Sequence, residues 1–68
     1  MNVFAIGFQD KQDFMNLMDT ISVLKFDITD TVLGDERCII FYSLEGFLFA
    51  INKLIENSIA CKVHYINH

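Results

Sequence analysis

The chain has no proline and no tryptophan, and its 68 residues include only three glycines, two cysteines and five basic side chains. Several function classes fall with these scarcities. Four Lys and one Arg without a cluster, set against nine acids, do not make the basic footprint that displaces counterions from a phosphate backbone. Direct nucleic-acid binding is therefore not expected. Gly7, Gly34 and Gly46 stand too far apart to form a phosphate-cradling G-x-x-x-x-G-K or G-x-G-x-x-G run. No linker, repeat or low-complexity segment divides the chain, so residues 1–68 read as one domain. The longest apolar stretch, residues 38–51, is interrupted by Ser43, Glu45 and Gly46 and is shorter than the roughly 18–20 residues that cross a bilayer. No secretory pattern opens the chain. The expectation is a reduced, cytoplasmic protein without membrane contact.

What the chain has in excess is apolar surface. Hydrophobic residues make up 53% of it, seven of them Phe, which is more than so short a chain hides easily. Domains of this size gain little from one core and often rely on a partner. The net charge of −4 points away from anionic partners.

Periodicity places the elements. Residues 3–8 form a short apolar run with large residues (Phe4, Ile6, Phe8) on one side and small ones (Val3, Ala5, Gly7) on the other, a buried strand. Asp10 is a good N-cap, and Phe14, Leu17, Met18 and Ile21 follow at helical spacing to an end near 22–25. Residues 26–33 alternate as a half-buried strand, with Asp30 breaking the inward face as at an edge or bulge. After a turn at 34–36, residues 37–43 are apolar on both faces, like a central strand. Ser43 caps a second helix whose stripe is Phe47, Leu48, Ile51, Leu54 and Ile55, with Asn57 as a left-handed end. Residues 59–66 alternate again, with Ile59, Cys61, Val63 and Tyr65 inward and Lys62 and His64 outward. The order βαββαβ is the ferredoxin-like α+β arrangement, with sheet order 4-1-3-2 and both helices on one face. Strands one and three, the central pair, are apolar on both sides, so the pattern leaves open which face the helices cover.

Little in the chain suggests catalysis. Cys61, His64 and His68 have zinc-like spacing and Cys38 could join them, but an odd offset puts Cys61 and His64 on opposite faces of a strand. No metal and no cofactor are expected. Cys38 and Cys61 should sit two strands apart, too far for a disulfide. His64 is the one side chain in the fold that titrates near neutrality, with no base or nucleophile obviously in reach. A helical wheel puts Phe49 opposite the apolar stripe, beside Lys53 and Glu56, as an aromatic anchor for a partner. The open face of the sheet is a second contact surface.

The βαββαβ order resembles the ACT-like regulatory domains, with Phe8-Gln9-Asp10 standing where those place a glycine-containing turn. That resemblance implies a homodimer binding a small metabolite at its interface. The opening residues 3–8, the closing residues 50–63 and the acidic, proline-free, Phe-, Ile- and Asn-rich composition are similar to small T-even phage antitoxins that block a host mRNA-degrading toxin. That resemblance implies stoichiometric inhibition of a host effector, in the host cytoplasm. The expected function is a non-enzymatic module that occludes another protein, or pairs with itself. Its contacts would be Phe49, Lys53, Tyr42, Lys62 and His64, with Asp27, Asp35 and Glu36 steering it toward a basic target.

Overall fold

Residues Asn2–Phe8 form the first strand, β1, and the unequal size of its two faces sets the layering of the molecule. Phe4, Ile6 and Phe8 point toward the helices and pack with Phe14, Leu17, Ile21, Ile39, Phe41, Ala50 and Leu54 into the core. Val3, Ala5 and Gly7 point to the open face. The computed structural model describes residues 2–67 and continues with α1 (Lys11–Ser22), β2 (Ile28–Leu33), β3 (Glu36–Phe41), α2 (Leu44–Glu56) and β4 (Lys62–Asn67). The sheet runs β2-β3-β1-β4, the expected 4-1-3-2 read from its other edge, and every pairing is antiparallel. The fold is ferredoxin-like α+β.

Local chemistry explains the element ends. The Asp10 carboxylate accepts the Gln12 N–H at 2.8 Å and the Asp13 N–H at 3.4 Å, satisfying donors that the first helical turn leaves orphaned. Ser43 Oγ accepts the Gly46 N–H at 3.2 Å and does the same for α2. Gly34, at φ +61°, makes the tight β2–β3 turn, a conformation that costs a glycine nothing.

Several boundaries differ from expectation, among them β3, which runs Glu36–Phe41 rather than 37–43. The second strand begins at Ile28, because Phe26 turns inward onto α2 while the Asp27 carbonyl accepts the Tyr42 N–H at 3.1 Å. Asn57 is not left-handed (φ −100°); Ser58 takes that role at φ 54°, and the Asn57 side chain donates to the Lys53 carbonyl at 2.8 Å. The last strand starts at Lys62, because 59–61 first close over the core, where Ile59 and Cys61 are half-buried. Asp30 lies exposed on edge strand β2, where water can reach it.

The buried face of the second helix consists of Gly46, Ala50 and Leu54, of which Ala50 and Leu54 pack in the core and Gly46 against Phe26. A Cβ at Gly46 would stand 3.1 Å from Phe26 Cγ, so the glycine is what admits that ring. Burial along α2 therefore predicts sharply different mutational costs. Leu54→Ala should lose about 2–5 kcal/mol of stability through transfer and cavity terms. Leu48→Ala, at a half-exposed site, should stay within about 0.5 kcal/mol. Urea unfolding of both variants checks the contrast.

Candidate functional site

The eight expected contact residues fall in three separate places. Asp27 and Tyr42 adjoin at one end of the sheet, both exposed. Phe49 and Lys53 lie in the helix layer. Glu36, Lys62 and His64 meet on the open sheet face, with Asp35 exposed in the turn just before them.

The Glu36 cluster arises from register. Gly7 pairs with Cys38 on one side and Lys62 on the other, so the missing side chain at Gly7 opens a slot between β3 and β4. The Glu36 carboxylate lies in that slot: a Cβ at Gly7 would overlap Glu36 Oε1 and stand 3.1 Å from Cδ. From there Oε1 is 3.5 Å from His64 Nε2 and Oε2 is 3.9 Å from Lys62 Nζ. Both Oε1 and Nε2 are shielded from water and lack a hydrogen bond. They form an ion pair when the imidazole is protonated. The carboxylate and ring cover the small residues beneath, so Ala5 and Cys38 are buried even though no helix lies on this face. The polar cluster covers the open face around Gly7, while Leu33 on β2 stays half-exposed on the same face.

The surroundings of the two thiols do not activate them. Burial first, and the Glu36 carboxylate second, push the Cys38 thiol pKa up, the reverse of what activates a nucleophile. Burial likewise raises Cys61. The two cysteines face opposite sides of the sheet, Cys38 on the open face and Cys61 against the core. Among the described residues no group of three or more His, Cys, Asp or Glu could hold a metal ion. His68 lies outside the described residues. No helix of the structure is long and apolar enough to cross a membrane.

Phe49 is not the solvent-side anchor that the wheel suggested. Its ring is half-buried 5.6 Å from that of Phe26, with Lys53 Nζ 5.5 Å from its centroid. The physical reason is the placement of the small residues: Gly46 and Ala50 turn that arc of α2 to the sheet, which swings Phe49 toward the residues preceding β2. The same rotation lifts part of the large apolar stripe off the core. Leu44, Leu48 and Ile55 are 55%, 49% and 70% exposed, with Ile51 half-buried among them.

That flank of α2 faces away from α1. Lys53 and Asn57 mark the opposite flank, where they line a groove with Asn16 and Thr20 of α1. A row of rings leads from the free flank to the sheet edge: Phe47 stacks on Phe4 at 4.6 Å, and Phe4 lies 5.2 Å from Tyr65. On β4, Val63 and Tyr65 point to the helix side yet remain 51% and 55% exposed. The exposed apolar residues of the α2 flank (Leu44, Leu48, Ile51 and Ile55, the wall) and of the uncovered strand (Val63 and Tyr65, the floor) lie at the two ends of that row of rings, an arrangement termed the shelf below. This shelf is the candidate site. The sequence held one signal for it, the 4-3-4 spacing of the wall residues.

Two measurements probe the cluster around Gly7. Gly7→Ala should cost about 1–3 kcal/mol by displacing Glu36. The cost should shrink in a Glu36→Ala background, a non-additivity that a double-mutant cycle reads directly. The raised Cys38 pKa also has a sign. Above about pH 8.5, where an unfolded thiol ionises, the unfolded chain sheds a proton that the folded chain keeps, so stability falls as pH rises. Urea midpoints between pH 7 and 10 should drop less steeply in Cys38→Ala than in the wild type.

Among known proteins, no family model matches the chain, and no curated protein or solved structure does.

Proposed function

We propose that this chain is a non-catalytic protein-binding module of inhibitor type, which occludes a partner protein with the shelf formed by α2 and β4. The observation that carries this reading is the set of exposed apolar side chains on α2 and β4, linked through the Phe47, Phe4 and Tyr65 rings. Scattered exposed apolar residues are ordinary, but a contiguous patch over two elements is characteristic of interaction surfaces. The edge position of β4 adds backbone groups that a partner can pair with. The acidic balance selects a basic partner and speeds encounter with it, with exposed Asp27 and Asp35 contributing to that field. An antitoxin-like inhibitor of a basic host effector fits all three features.

One feature favours a second reading, a small metabolite bound as in the ACT-like domains. A depression of about 430 Å³ lies at the β1–α1 turn, lined by Gly7, Gln9, Asp10, Asp13, Ala60, Cys61 and Lys62. A thermal-shift panel of amino acids separates the two, since only the metabolite reading expects a rise in Tm.

Site-specific photocrosslinking in cells tests the first reading. A photoreactive residue in place of Leu48 or Ile55 should give adducts with another protein, and one in place of exposed Asp19 should not. Adducts that form equally from all three positions, that contain only this chain, or that fail to form would overturn it.

A further inference from the structure

We infer that the shelf seats an amphipathic α-helix of the partner, with Lys or Arg beside its apolar stripe; this rests on the protein-binding reading above and names the element bound. Shape is the first argument. A strand added to the edge of β4 would lie in the plane of the sheet, about 5 Å beyond it, and would leave the α2 wall bare. A helix resting on Val63 and Tyr65 covers floor and wall together, at the usual interaxial distance of roughly 8–10 Å.

Spacing is the second argument. Leu44, Leu48, Ile51 and Ile55 follow one another by four, three and four positions, the repeat of a helix–helix seam. At about 1.5 Å per residue the wall is about 16 Å long, enough for three turns of a partner helix presenting i, i+3 or i+4, and i+7 anchors.

Charge is the third argument, and it decides between partners. About a quarter-turn from the wall, on its outward side, α2 carries Glu45, Asn52 and Glu56. Among the described residues the one cation that reaches this rim is Lys53, at Glu56, so Glu45 is its unpaired acid. Lys53 lies on the α1 side, over Phe49, and reaches Glu56 from there at 3.4 Å. Glu45 has no ion pair among the described residues. A second copy docked two-fold on this flank would bring its own Glu45 and Glu56 against these acids. A helix with basic flanks would meet them favourably.

The test uses the whole protein and two stapled helical peptides of about five turns with identical apolar stripes, one flanked by Lys and the other by Glu. Fluorescence anisotropy at low salt should show the Lys peptide binding at least tenfold more tightly, with the gap narrowing as salt rises. Leu48→Asp and Ile55→Glu should each weaken binding at least tenfold while leaving Tm nearly unchanged. The double substitution Glu45→Lys with Glu56→Lys should abolish or reverse the preference between peptides. The inference is overturned if neither peptide binds, if both bind equally, or if amide shifts on binding map to the open sheet face. Should crosslinks from positions 48 and 55 still capture another protein in that case, the partner is not a basic helix but the protein-binding reading stands. Should the chain instead self-associate in a manner that Leu48→Asp abolishes, both fall.

Discussion

The inequality between the two faces of β1 governs this molecule. Phe4, Ile6 and Phe8 need a layer above them, and the two helices supply it. Val3, Ala5 and Gly7 need almost nothing, because a small residue on a sheet is covered by the side chains of its neighbours. The helices therefore go to one side, and the other side is left thin enough for Glu36 to lie flat across it. Had the bulk been shared evenly, neither the buried Cys38 nor the slot at Gly7 would follow.

Much of this was legible in the sequence because it depends on period and length. The strand–helix order, the Asp10 and Ser43 caps and the central positions of β1 and β3 all follow from local pattern. The orientation of α2 does not. Its apolar residues spread over more than half of the helix circumference, so a wheel weighted by large residues points between Phe47 and Ile55. The helix instead turns the arc of Gly46, Ala50 and Leu54 to the sheet, since close approach buries more than bulk held at a distance. That rotation packs the Phe49 ring near Phe26 and leaves Leu48 and Ile55 at the surface. Likewise, the meeting of Glu36, Lys62 and His64 depends on strand register, which brings residues far apart in the chain side by side.

The shelf follows from the same geometry. One face of four strands is wider than two helices cover once α2 settles over the central pair, and β4 pairs along only one edge. Its apolar side chains then stay wet beside a helix whose flank is apolar too. A chain with 53% hydrophobic residues could have avoided this with polar groups at Leu48, Ile55 or Val63. Apolar residues stand there instead, about half exposed or more, at the boundary of the core.

The pairing of β1 with β4 has a kinetic consequence. Phe4 lies beside Tyr65, so the contact of these strands closes a loop of about 60 residues. Contacts of that separation form late in folding, after local helices and the β2–β3 hairpin are in place. They are also candidates for the earliest loss when the native state opens locally, since β4 is held along one edge only. A partner resting on the floor of the shelf would hold β4 against β1 and so oppose that opening.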